Sequence, residues 1–302
     1  MTVKTTLKVA SAQYPIGQPK TLAEWEQKIA LWVRNGAATG AELLVFPEYA
    51  AIEQAAAFGP EVYSDLGATL AKVAELHESR VAFHADLAKK HKVHILVGSG
   101  PVLRPNGRFV NAAQLVTPGG QIGEQEKLVM TPFEHGWGIS ADTHVRVFVT
   151  KIGTFGIAIC YDSEFPLLVR AMAEAGADVV LVPSCTERVS GYHRVRTGSM
   201  ARALENTIAT VQSPTVGDAP WSPAVDFNAG SAGIYVPSEH GVSDTGVLAE
   251  GVLNAAEWVT ATIDQERLRR VRESGEMHNF GDWSKQPGAP MAKVDVEVVR
   301  LD

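Results

Sequence analysis

The chain has 302 residues, of which 45% are hydrophobic and 20% charged, enough to bury a sizeable core as one large domain or two ordinary ones. A formal net charge of -7 without any basic stripe argues against a nucleic-acid partner. Its two cysteines, Cys160 and Cys185, lack C-x-x-C partners or zinc-finger histidines, there is no long apolar signal segment, and no apolar run approaches the roughly 18 residues of a bilayer span, so neither a disulfide framework, a metal site, a membrane span nor secretion is expected and the expected home is the cytoplasm.

In chain order, Leu7 to Gln13 alternates weakly and stops at Tyr14-Pro15, the pattern of a first strand. Leu22, Trp25, Ile29 and Val33 then recur at helical spacing over 21–34, with Thr21 as N-cap, Glu24 completing a capping box and Gly40 closing the segment. Ala41 to Phe46 reads as a strand that Pro47 ends, leaving Glu48 at its tip. The segments 51–58 and 69–90 read as helical, and 91–98 and 109–117 as strands before the Pro118-Gly119-Gly120 turn. The stretch 121–130 carries one notable cation, Lys127, for which a solvated surface position is the ordinary alternative.

Val145 to Val149 alternates, and Gly153 marks a hairpin turn into Phe155 to Ile159, a β-branched, buried run ending at Cys160, Tyr161 and Asp162. Phe165-Pro166 opens an amphipathic helix. A strand, a sharp corner and a helix make a suitable mount for a nucleophile, because outward-facing backbone N–H groups there stabilise a thiolate or an oxyanion. The alternative is a cysteine serving as a small core hydrophobe. Further strands are expected over 177–182, ending at Pro183 with Ser184 and Cys185 beyond, and over 207–213, 231–236 and 258–263. Helices are expected over 194–206 and 265–273, followed by an irregular tail from about Gly275. Strands and helices interleave without a compositional break, which predicts a single α/β domain over 1–302.

Three segments in order, VFPEY, EKLVMTPFE and GIAICYDSEFP, resemble the carbon–nitrogen hydrolase family, also called the nitrilase superfamily, and the resemblance runs from the VASAQ strand to the WVTATID strand. It implies a four-layer α-β-β-α sandwich, association as a homodimer or higher homo-oligomer, no cofactor and no metal. It also implies catalytic roles for Glu48, Lys127 and Cys160, with Glu134 as a second glutamate. The GSMARALEN segment, with Arg202, Glu205 and Asn206, is similar to a family segment that mainly supports the structure. PSCTE, GYHRVRTGSMARALEN and SPTVGDAPWSPAVD look like a subgroup sometimes fused to an acetyltransferase domain, and no such extra domain is expected within these 302 residues.

On this resemblance Cys160 passes its proton to Glu48 and attacks an amide carbonyl, Lys127 and the backbone N–H of Tyr161 hold the oxyanion, and a thioester forms that water then hydrolyses. Glu134 orients Lys127 or the substrate. Tyr49, His135, Ser184 and Cys185 either line the pocket or serve loop structure, and Asp162 either ties down the turn or touches substrate. The implied substrate is a small non-peptide amide. A nitrilase or N-carbamoyl amide hydrolase is the alternative enzyme, although CYD, where nitrilases more often carry CWE, favours amides. A catalytically silent binding subunit is the alternative of another class, and the intact Glu48, Lys127 and Cys160 argue against it. Glu164 stands where many family amidases carry a basic residue, so recognition of ω-amido acids through that position is not expected.

Overall fold

The computed structural model describes residues 4–287, 289 and 295–302. The strands are β1 (Thr6–Pro15), β2 (Leu43–Val45), β3 (His94–Leu103), β4 (Phe109–Val116), β5 (Ile122–Glu126), β6 (Val145–Thr150), β7 (Gly153–Ile157), β8 (Val179–Ser184), β9 (Ala209–Val216), β10 (Gly233–Tyr235), β11 (Val247–Glu250), β12 (Glu257–Asp264) and β13 (Val296–Arg300). The helices are α1 (Leu22–Ala38), α2 (Pro60–Tyr63), α3 (Leu66–Glu75), α4 (His77–His91), α5 (Pro132–Gly136), α6 (Pro166–Glu174), α7 (Val189–Asn206) and α8 (Gln265–Ser274).

One sheet runs β12-β1-β2-β3-β4-β5 and the other β13-β6-β7-β8-β9-β10-β11, and they fuse where Tyr14 and Pro15 of β1 pair with Thr215 and Val216 of β9. Side chains that alternate along β1 and β2 explain the layers. Leu7, Val9, Leu43 and Val45 enter a core shared with Val147, Phe155 and Ile157 of the other sheet. Ala10, Ala12, Leu44 and Phe46 point the opposite way, onto Trp25, Ile29 and Val33 of α1 and Leu70, Val73, Val81 and Leu87 of α3 and α4. Val169 and Met172 of α6 and Val195 of α7 join the core from the second sheet's side. The result is the four-layer α-β-β-α sandwich.

Several local expectations change. The Thr21 hydroxyl accepts from the Glu24 N–H at 3.1 Å, but the Glu24 carboxylate accepts from the Lys20 N–H at 2.7 Å, so the cap reaches one residue further back than a capping box does. The helix expected over 69–90 is two helices broken at Leu76, where Arg80 donates to the Val73 carbonyl at 3.0 Å and satisfies an acceptor freed by the break. Residues 50–58 form a 3-10 helix. The tail is not irregular throughout: Val296–Arg300 extends the second sheet as a parallel neighbour of β6, and Leu301 is buried in the core. Among the described residues, no helix is long and apolar enough to cross a membrane.

Candidate active site

Three strand ends converge. After β2, Pro47 ends the ladder and its carbonyl accepts from the Ser99 N–H at 3.2 Å. That approach requires Gly98, whose φ is +86° and where an added Cβ would stand 2.2 Å from the Pro47 oxygen. The wrapped backbone holds Glu48 in the interior, with a side chain only 2% exposed. Lys127 directly follows β5, and its N–H donates to the Asn111 carbonyl of β4 at 2.8 Å. Glu134 lies on α5, where Thr131 caps the helix and donates its N–H and hydroxyl to the carboxylate at 3.0 and 2.9 Å.

Cys160 follows β7 in a left-handed conformation, φ 49°, uncommon for a residue other than glycine. Asp162 holds this corner. Its carboxylate accepts from the N–H groups of Ile159 at 3.1 Å, Leu128 at 3.2 Å and Val129 at 2.8 Å, so the Cys160 turn is tied to the segment that carries Lys127. The two open readings of Asp162 resolve in favour of structure. Ser163 donates to the Cys160 carbonyl at 2.6 Å, and Arg202 donates to the Ser163 carbonyl at 3.1 Å. The helix α7 approaches this turn through Gly198, where a Cβ would lie 3.0 Å from the Ser163 oxygen.

Lys127 bridges the two glutamates, Nζ lying 2.7 Å from Glu48 Oε1 and 2.7 Å from Glu134 Oε2. Asn111 spans the same pair, its Nδ2 donating to Glu48 Oε1 at 3.0 Å and Glu134 Oε1 at 3.1 Å. Tyr49 donates its hydroxyl to Glu134 Oε1 at 2.8 Å. Glu48 Oε2 accepts from the Cys185 N–H at 3.0 Å, and the Cys160 thiol faces the Cys185 carbonyl at 3.8 Å and interacts with the Glu48 carboxylate.

The environments separate the two carboxylates. Burial raises the Glu48 pKa above its ordinary value even though Lys127 opposes the shift. For Glu134 burial acts the same way, but Lys127, Thr131 and Asn111 outweigh it and hold the carboxyl below its ordinary value. Burial would lower the Lys127 pKa, yet Glu48 and Glu134 overcome it and keep the ammonium charged. Burial and the Glu48 charge push the Cys160 thiol up, so it rests protonated at neutral pH. The arrangement pairs a carboxyl poised to exchange protons with a fixed anion that keeps the cation in place.

Of the other residues singled out from the sequence, Tyr49 reaches the cluster through its hydroxyl. Cys185 touches it through its backbone, while its thiol donates to Asn228 Oδ1 at 3.4 Å and burial pushes its pKa up to about 12. Ser184 is buried, and its hydroxyl donates to the Ser213 carbonyl at 3.3 Å. His135 is exposed on α5. Tyr161 is half-buried against Phe165, and its N–H has no backbone acceptor among the described residues. A groove of about 670 Å³ lies between Glu164 and α7, but none of Glu48, Lys127, Glu134 and Cys160 lines it. Asn111 and the Cys185 backbone escaped the sequence reading; the one signal for Asn111 was a polar residue inside the apolar run FVNAAQLV.

Residues 8–273 match the carbon-nitrogen hydrolase family. The chain is 36% identical over 277 residues to a Bacillus subtilis protein described as probable hydrolase YhcX, covering 91% of this chain and 53% of that one, so it spans about half of that relative's length. It is 30% identical over 226 residues to an (R)-stereoselective amidase of a Pseudomonas species, covering 73% of this chain and 80% of the amidase. The fold is similar to the crystal structure of Saccharomyces cerevisiae Nit3, a member of branch 10 of the nitrilase superfamily, with a TM-score of 0.72, 21% identity and coverage of 90% of this chain and 94% of Nit3.

Proposed function

The chain belongs to the carbon–nitrogen hydrolase family, and from that premise we propose that it hydrolyses a small non-peptide amide to a carboxylate and ammonia or an amine, through a thioester on Cys160. The observation that carries the reading is the single buried ammonium of Lys127 held 2.7 Å from each of two carboxylates whose pKa values are driven in opposite directions, beside a protonated thiol.

Glu48 is the proton carrier in this reading, because a base near the thiol needs a carboxyl whose pKa lies above the ordinary range. It takes the Cys160 proton as sulfur forms a bond to the carbonyl carbon and the carbonyl π electrons move to oxygen. Lys127 and the free Tyr161 N–H hold that oxyanion. When the C–O double bond re-forms, the C–N bond breaks and Glu48 gives its proton to the leaving nitrogen. A water then loses a proton to Glu48 and attacks the thioester, the C–S bond breaks, and the proton returns to sulfur. The carboxylic acid leaves with the enzyme restored. Glu134 remains an anion throughout, and Asn111 fills Glu48 Oε1 together with Lys127, so the moving proton is taken by Oε2, which accepts one hydrogen bond from the Cys185 N–H and keeps a second lone pair.

Ammonia release from a panel of primary amides, with the acyl-enzyme trapped by mass spectrometry, tests the reading. A covalent adduct on Cys160 and complete loss of turnover in Cys160→Ala are expected. Undiminished turnover in that variant would refute the nucleophile assignment.

A further inference from the structure

The charges and walls around the thiol narrow the acyl group that this hydrolase reading allows. The site holds two carboxylates for one ammonium, and Lys127 is the one lysine or arginine that hydrogen-bonds to Glu48 or Glu134 among the described residues. The two arginines that reach the nucleophile's turn are already paired. Arg194 lies 5.5 Å from the centre of the Tyr161 ring and donates to Glu164 Oε2 at 3.1 and 2.7 Å, while Arg202 donates to both oxygens of Glu205 at 2.9 Å. A carboxylate on the substrate would find Lys127, Arg194 and Arg202 already paired and two negative side chains nearby, an arrangement of like charges that disfavours binding.

The surfaces beside the cluster are apolar. The Tyr49 ring, whose hydroxyl reaches Glu134, packs edge-on against Trp137 with centroids 5.6 Å apart. Tyr49 belongs to one hydrophobic cluster with Ala219 and Val225, onto which the half-buried Trp137, Trp221 and Cys185 pack. The loop carrying Ala219, Trp221 and Val225 is fastened to the site by Asn228, which accepts from the Cys185 thiol at 3.4 Å and donates to the carbonyls of Gly217 at 2.9 Å and Val225 at 2.8 Å. The apolar surface thus meets the thiol through Cys185, whose own carbonyl faces Cys160 Sγ at 3.8 Å.

Resting on the amidase reading, we propose that the acyl group accepted by Cys160 is uncharged and apolar, seated against the Tyr49 and Trp137 rings and the 217–229 loop, and that amides bearing an acyl carboxylate are excluded. The half-buried Trp137 ring, backed edge-on by the buried Tyr49 ring, offers apolar area to such a group at little cost in side-chain entropy.

Four amides test this: acetamide, 3-phenylpropanamide, succinamate and the methyl ester of succinamate. The expected kcat/KM for 3-phenylpropanamide exceeds that for succinamate by about 100-fold, the scale of discrimination that pocket contacts provide. Masking the succinamate charge as its methyl ester should recover about tenfold of this difference. In Trp137→Ala the ratio of kcat/KM for 3-phenylpropanamide over acetamide should fall about tenfold. Preference for succinamate over its ester, or an unaltered ratio in Trp137→Ala, would overturn the proposal while leaving the hydrolase reading standing. Absence of Cys160-dependent ammonia release from every amide, acetamide included, would instead overturn the hydrolase reading and this proposal with it.

Discussion

Removing the Asn111 side chain by Asn111→Ala should move the acid side of the activity profile. Asn111 gives one N–H bond to each carboxylate, at 3.0 and 3.1 Å, and hydrogen bonds to charged groups are worth about 1.5–3 kcal/mol each. Glu134 keeps Lys127, Tyr49 and Thr131, whereas Glu48 keeps Lys127 and the Cys185 N–H, so Glu48 has fewer donors to fall back on. If half of the weaker value is specific to the ionised form of Glu48, its pKa rises by about half a unit, and the full value gives about one unit. The sign follows from the role: Glu48 must be ionised to receive the thiol proton, so activity is lost as pH falls through its raised pKa, and a further rise moves that loss to higher pH. The assay is kcat/KM against pH for an amide that the wild type hydrolyses, with thermal unfolding measured in parallel. Asparagine that merely fills space would lower the melting temperature and leave the profile where it was. An acid limb that stays in place or moves to lower pH would refute the reasoning.

Lys127→Met leaves Glu48 and Glu134 buried without their shared cation, which should cost about 3–5 kcal/mol in denaturant unfolding; adding Glu134→Gln should recover part of the stability and none of the activity. Gly198→Ala should separate activity from stability in the opposite way. Alanine favours the helix by about 1 kcal/mol, but its Cβ would stand 3.0 Å from the Ser163 oxygen and push the Cys160 turn, so kcat should fall by about tenfold or more with little change in melting temperature. Leu301→Ala should cost about 2–5 kcal/mol if the C-terminal strand is part of the core; an unfolding free energy within about 0.5 kcal/mol of wild type would show that this strand is dispensable.

Much of the framework was legible because the buried strands are apolar runs that stop at a proline, a glycine or a polar residue. LLVF before Pro47 and GIAI before Cys160 mark strand ends, whereas VVLV runs on through Pro183 to Ser184 in the ladder with β9, and polar residues collect at such ends because that is where a sheet opens to a pocket. The sequence by itself therefore determined most of the strands, though not β5, β11 or β13, together with the family resemblance and the positions of Glu48, Lys127 and Cys160 at or near strand ends. Strands covered on both faces carry no period of two, so which sheet each belongs to, and the placing of VEVVR beside β6 across some 150 residues of chain, depended on pairing that local pattern cannot encode. Asn111, Asp162 and Cys185 escaped or stayed ambiguous for a related reason: the first reaches two carboxylates from distant segments, the second clamps two backbone stretches, and the third acts through peptide groups that every residue possesses. The resemblance had already given the proton exchange to Glu48, but only the tertiary structure decided the physical difference between Glu48 and Glu134, whose pKa values move in opposite directions because two identical carboxyls differ solely in what the fold brings against them.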